Sequence, residues 1–162
     1  MDYISGHQHH LAYFEEIETD RLSTQTEYIS QLDSGKEFVL RNSINSYQQD
    51  IDMMNYSFSG EQITSFSEVH IVGAAPRLDW VVGVNLWTEN FEQTLISVPL
   101  ALDFNSQTAG AFAQGTFFFN DHWHIESGLR FESFSEYGNF ILPRASLLFS
   151  PSEKTFLRIG GA

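Results

Sequence analysis

The sequence contains no cysteine and only eight basic residues among its 162. Without cysteine, disulfide scaffolds, thiolate zinc sites and thiol nucleophiles are excluded. The basic residues are scattered among 21 acidic ones, which gives a formal charge of −13. Nucleic acid is therefore not expected as a partner, because phosphate binding requires clustered Lys and Arg. No apolar run approaches the roughly 18 residues of a spanning helix.

The N-terminus, MDYISGHQHH, has no basic region followed by an apolar stretch, so it does not read as a signal peptide. The sequence therefore predicts either a cytoplasmic protein or one whose targeting segment lies upstream of Met1.

What the sequence does contain is an alternation of apolar and polar residues. In HWHIESGLRFE, residues 122–132, Trp123, Ile125 and Leu129 alternate with charged residues, and FILPRASLLFS, residues 140–150, repeats the pattern with Leu147 and Phe149. A period of two is typical of a strand with one apolar face. We count about eight candidate strands, most of them near ten residues, rich in Phe, Val, Ile and Thr. The sequence predicts an all-β protein, an antiparallel up-and-down meander without a helix of any length.

Strand length and spacing favour a membrane barrel. Strands in soluble sheets average about 5–6 residues, whereas a tilted strand that crosses a bilayer needs about 9–11. Short turns are predicted at residues 33–36, 73–79, 119–122 and 150–154, and longer links at 48–60, 90–107 and 134–139. Short turns at one end and long loops at the other are typical of outer-membrane barrels. A soluble β-sandwich or lipocalin-like barrel, whose apolar faces would meet each other, remains open.

The aromatic residues suggest two interfacial girdles, one at each end of the strands. The residues that form the pattern are Trp80, Trp123, Phe149 and Phe156 beside the short turns, and Trp87, Phe131 and Phe134 near the longer links. Six apolar residues are expected to face lipid: Ile125, Leu129, Phe131, Ile141, Leu147 and Phe149.

The second half of the chain resembles TonB-dependent receptors, the gated transporters of Gram-negative outer membranes. The resemblance covers about residues 108–162 and rests on Gly128-Leu129-Arg130, Glu132, Pro143-Arg144, Pro151 and the pair Gly160-Gly161. The strand GAFAQGTFFF before them is also similar to the family, and the first hundred residues are compatible in layout and resemble Bacteroidetes-type members.

The resemblance implies that the chain is a piece of a larger protein. In the family, a signal peptide, a TonB box and a plug domain precede the barrel, and further strands follow the Gly pair. Residues 1–162 would then be about eight of the barrel's roughly twenty-two strands, without plug, signal peptide or C-terminal strands. The implied parent takes up a scarce solute, such as a siderophore, cobalamin, a metal complex or a glycan. Its partners would be outer-membrane lipid, its own plug, TonB and the solute, and the piece would be inactive alone.

A self-contained small β-barrel that binds a ligand is the alternative function. Enzymatic interpretations find no support, because Glu15 and Glu16 point to opposite faces of a strand and no Gly-x-Ser-x-Gly elbow is present. No catalytic residue and no cofactor is predicted. His7, His9 and His10 are weak metal-ligand candidates, since imidazole suits zinc, copper and nickel, but a solvated polar tip is favoured because no third ligand is fixed.

Arginines recur on the predicted polar faces of the strands, and the resemblance implies that these faces line the barrel lumen. The predicted lumen-facing residues, with a structural role or a place on the solute path, are Arg41, Glu68, Glu126, Arg130, Glu132, Arg144 and Arg158. We expect them, with Glu27, to form cross-strand ion pairs.

Overall fold

A computed structural model of the chain describes residues 15–96, 102–152 and 154–162. The described residues form eight β-strands and one short 3-10 turn, Asp33–Gly35. The strands are β1 (Glu15–Leu32), β2 (Lys36–Met53), β3 (Tyr56–Ala75), β4 (Leu78–Ile96), β5 (Phe104–Phe118), β6 (Trp123–Phe134), β7 (Gly138–Ser152) and β8 (Thr155–Gly161). Within this part of the chain, no helix is long and apolar enough to cross a membrane.

The eight strands form one antiparallel sheet in the order of the chain, β1 to β8. Each strand pairs with its sequence neighbours, and the register is continuous except for bulges near Ser59 and between Phe149 and Ser152. The predicted meander is therefore confirmed. β1 and β8 occupy opposite edges, so the described sheet is open and does not close on itself as a small eight-stranded barrel would.

The strands are longer than the sequence pattern predicts. β1 to β4 contain 18 to 20 residues each, about twice the number that crosses a bilayer. Two of the expected long links shrink accordingly, because β2 and β3 are joined by residues 54–55 and β6 and β7 by residues 135–137. The expected contrast between short turns and long loops is wrong for these two links, since polar residues there extend the ladder and do not form loops.

Two tight turns depend on glycine. Gly35 closes the β1–β2 turn with φ of 70°, and Gly138 begins β7 with φ of 85°. Side chains with a Cβ rarely adopt this left-handed region. The β5–β6 turn is stabilised by the side chain of Asn120, whose Oδ1 accepts hydrogen bonds from the backbone N–H groups of His122 and Trp123, each at 2.9 Å.

The described part of the chain has almost no hydrophobic core of its own. Val39, 2% exposed, is the one apolar residue in the buried class there, whereas Ile141 is 67% and Leu22 68% exposed. A single curved sheet has no second layer to cover its apolar face. The apolar side chains therefore meet something outside this chain, or they meet water at considerable cost.

Candidate functional site: the polar face of the sheet

The register divides the side chains of the sheet between two faces. Val84 on β4 is opposite Val69 on β3 and Ala111 on β5, and the next residues in both directions along each strand point to the other side. We call this side the apolar face. Its central residues are Leu40, Val69, Val82, Val84, Ala111, Leu129, Phe131 and Ile141. The opposite side, which we call the polar face, carries the arginines of the eight strands.

The apolar face is uncovered over most of its area. Val84 is 55% exposed, Leu129 54% and Ile159 74%. All six residues expected to face lipid lie on it, because Ile125 pairs with Leu147, Phe131 with Ile141, Leu129 with Pro143, and Trp123 with Phe149. An apolar surface of this extent is stable only against lipid or another apolar layer.

One register row of the polar face connects charged residues across six strands. The row runs through Glu27, Arg41, Glu68, Asn85, Gly110 and Glu132. Arg41 Nε donates to Glu27 Oε1 at 2.6 Å, and Arg41 Nη1 lies 3.9 Å from Glu68 Oε1. The same Glu68 oxygen lies 3.0 Å from His70 Nδ1. Arg41 is thus shared between the carboxylates of the two strands on either side of it.

A second cluster surrounds Glu126 on β6. Its Oε2 accepts from Arg158 Nη2 at 2.5 Å, and its Oε1 accepts from Arg144 Nη2 at 3.1 Å and Gln114 Nε2 at 3.2 Å. Arg158 also donates to the buried Ser146 Oγ at 3.1 Å. Glu126 is 20% exposed, whereas both arginines are about half exposed. One carboxylate thus binds two guanidinium groups from two neighbouring strands.

Arg130 and Glu132 form an ion pair within β6, so the expected cross-strand pairing is wrong for these two residues. Arg130 Nε donates to Glu132 Oε1 at 2.6 Å, and the guanidinium lies 6.0 Å from the centre of the Phe112 ring. Phe112 in turn contacts His70, with ring centroids 6.5 Å apart. The approach depends on Gly83, because a Cβ there would stand 2.6 Å from both His70 Cβ and Phe112 Cζ.

Aromatic residues concentrate on the polar face, toward the ends of the strands opposite the β1–β2, β3–β4 and β5–β6 turns. Phe91 stacks between Phe58 and Phe104 with centroid distances of 6.5 and 5.6 Å. Trp87 packs on Phe66, its cross-strand partner on β3. The predicted aromatic girdle near the longer links is wrong for Trp87 and Phe134, because the strand register places both residues on the polar face. Of that set, only Phe131 lies on the apolar face.

The predicted girdle beside the short turns is partly formed. Trp123 stacks on Phe149 with ring centroids 4.3 Å apart, and both lie on the apolar face. Trp80 lies there as well, with Lys36 Nζ 5.9 Å from its ring centre. Phe156 does not belong to this girdle, because it alternates with Leu157 of the apolar face and so shares the side of Arg158.

All seven residues predicted to line a lumen lie on the polar face, and each makes at least one of the ion pairs described above. Sequence reasoning missed Asn85, Gln114 and Ser146, which are uncharged and carry no motif; only their position in the alternation marks them. His7, His9 and His10 lie outside the described residues. Among the described residues, no group of three His, Asp or Glu is arranged to hold a metal ion.

Comparison with known proteins identifies the family. Residues 5–161 match the family described as "TonB dependent receptor-like, beta-barrel". No curated protein sequence matches the chain. Among solved structures, the alcaligin outer-membrane receptor FauA of Bordetella pertussis is similar with a TM-score of 0.77 and 13% identity, over 90% of this chain and 29% of FauA.

Two Pseudomonas aeruginosa structures are similar as well. The ferric enterobactin receptor PfeA, solved as a mutant, has a TM-score of 0.70 at 10% identity over 89% of this chain and 25% of PfeA. The siderophore receptor PirA has a TM-score of 0.68 at 12% identity over 90% of this chain and 26% of PirA. The chain thus spans less than a third of each of these proteins, and identities this low show a common fold.

Proposed function

Because the chain belongs to the TonB-dependent receptor β-barrel family, we propose that it is one part of the barrel wall of an outer-membrane receptor that takes up a siderophore. The two-faced sheet carries this proposal. Its apolar face is exposed across eight strands, while its opposite face holds the ion pairs of Arg41, Arg130, Arg144 and Arg158. A barrel wall between lipid and a polar interior requires this division.

The polar face then lines the interior of the intact barrel. The seven residues predicted to line the lumen form part of the solute path, and the ion pairs of Arg41, Arg144 and Arg158 hold neighbouring strands together. The family implies that outer-membrane lipid covers the apolar face, that a plug domain fills the interior and that TonB supplies force. No cofactor and no catalytic activity belong to this proposal.

The siderophore is favoured over cobalamin, other metal complexes or a glycan by the names of the similar structures, which are receptors for alcaligin, ferric enterobactin and an unnamed siderophore. The alternative function, a self-contained small barrel, would need β1 to pair with β8. In the described sheet these strands lie at opposite edges, and open edges favour a place within a larger barrel.

Uptake by the intact receptor tests the proposal. The complete reading frame that contains this chain is expressed in a Gram-negative host without its own siderophore receptors, and entry of radiolabelled iron is measured with a panel of ferric siderophores. We expect uptake of at least one complex, and its loss in the same host without TonB. Uptake equal to that of the receptor-free host, or uptake of labelled cobalamin or glycan alone, would contradict the siderophore assignment.

A further inference from the structure

A cavity of about 420 Å³ opens on the polar face between the Glu68–His70 pair and the Glu126 cluster. Gly128 forms its floor, since this residue lies between Gln114 of β5 and Arg144 of β7 in the register. A glycine at this position leaves the space above the sheet open. Arg130 and Arg144 border the cavity, and Phe112 and Leu142 add apolar walls.

The charges around the cavity do not balance. The charged side chains that line it are two arginines, Arg130 and Arg144, and one carboxylate, Glu68. Glu126, next to the cavity, accepts hydrogen bonds from Arg144, Arg158 and Gln114, so each of its oxygens already has a partner. Glu68 also has a partner, since its Oε1 lies 3.9 Å from Arg41 Nη1. Two arginines therefore line the cavity beside one carboxylate that is already paired.

The two bordering arginines retain donors for a ligand. Arg130 and Arg144 are 41% and 54% exposed, and each uses one nitrogen in its ion pair. A guanidinium carries five N–H donors in a planar fork that matches an oxyanion. Phe112, against which Arg130 stacks, provides an apolar surface next to those donors.

From this geometry, which rests on the proposed function, we propose that the cavity binds an oxyanion on an apolar body, such as a carboxylate attached to a ring, during passage of the solute. Arg130 and Arg144 hold the oxyanion, while Phe112 and Leu142 contact the body. The intact receptor would accordingly prefer acidic solutes to neutral ones of the same shape.

Two fluorinated probes of equal shape and different charge test the site: 4-fluorobenzoate and its neutral analogue 4-fluorobenzamide. Their affinities for the purified intact receptor are measured by ¹⁹F line broadening at constant ionic strength. We expect saturable binding of the benzoate, with an affinity about tenfold above that of the benzamide, as one charge-assisted interaction provides. Equal broadening by the two probes would overturn the proposal.

Gly128 offers a matched pair of variants. A Cβ there would meet its nearest atoms, Ala113 O and Gln114 Cβ, at 3.4 Å, an ordinary contact, so both Gly128→Asp and Gly128→Asn are expected to fold. They add nearly the same volume and differ in charge. Asp is expected to weaken benzoate binding about tenfold more than Asn, through repulsion at short range. Equal weakening would mean that volume alone matters, and the proposal would be wrong.

Arginine variants locate the charge. Arg144→Gln is expected to weaken benzoate binding about tenfold, whereas Arg21→Gln, on the polar face of β1 and bordering a different groove, leaves it unchanged. Absence of saturable benzoate binding to the wild type overturns the proposal, whatever the stability of Arg144→Gln, because Arg144 already pairs with Glu126. Iron uptake is measured on the same wild-type receptor. Uptake without benzoate binding refutes the proposed oxyanion site alone, and benzoate binding without uptake refutes the proposed siderophore uptake alone.

Discussion

Replacing Val84 with arginine probes the assignment of the apolar face to lipid. Val84 lies within the apolar stretch of β4 on that face, with Trp80 and Val82 toward the short turns and Leu86 on the other side. Its side chain is 55% exposed, between Val69 and Ala111. Because both of these cross-strand neighbours are apolar, an arginine at position 84 would have no polar partner beside it in the sheet.

The expected cost follows from depth in the bilayer. An arginine on the lipid face of a barrel costs about 2–4 kcal/mol at the midplane and about 0–1 kcal/mol near the interface. Asn90 is on the same face of the same strand, six residues on, about 20 Å away at 3.3 Å per residue. Asn90 already donates to Glu92 at 3.0 Å, so an arginine there gains a carboxylate partner. Val84→Arg should therefore destabilise the barrel by about 1–4 kcal/mol more than Asn90→Arg.

The measurement is reversible unfolding of the intact receptor in lipid vesicles, followed by tryptophan fluorescence against guanidinium concentration. Leu86→Arg, between the two positions, should give an intermediate loss of unfolding free energy. Equal costs for Val84→Arg and Asn90→Arg, or a larger cost at Asn90, would refute the idea that lipid covers this face.

Three further results are expected. Gly83→Val should lower the unfolding free energy by about 1–3 kcal/mol, because its Cβ would overlap His70 and Phe112. Gly128→Ala, whose Cβ would make ordinary contacts, should change the unfolding free energy by less than about 1 kcal/mol. A larger loss for Gly128→Ala than for Gly83→Val would show that the described packing around Gly83 is wrong. Glu126→Gln should cost only about 1 kcal/mol in the same assay, since its two arginines are about half exposed and screened by water, and a cost near zero would mean that the cluster contributes nothing. The isolated chain, whose sheet has two open edges, should give no large conductance in a planar bilayer; a stable wide pore would contradict the barrel-segment assignment.

Much of the fold follows from local alternation. The period of two in residues 122–132 and 140–150 is sufficient to assign β6 and β7 and their more apolar face, because successive side chains of a strand point to opposite sides. The sequence also indicated which residues carry the charge of the polar face. Strand ends were predicted poorly, since polar residues such as Gln48 and Gln62 lie in extended ladders, and nothing local separates a polar strand from a loop.

The composition and the alternation thus determined by themselves that this chain is an all-β, two-faced sheet with ion pairs on one side. Only the tertiary structure decided which charges meet: that Glu126 binds Arg144 and Arg158, and that Gly128 leaves a cavity beside Arg130. Only the tertiary structure also showed that Trp87 contacts Phe66 of the neighbouring strand. The reason is physical: alternation fixes the side of the sheet to which a residue points, but cross-strand contacts depend on register, which bulges and turn lengths set between residues distant in the sequence.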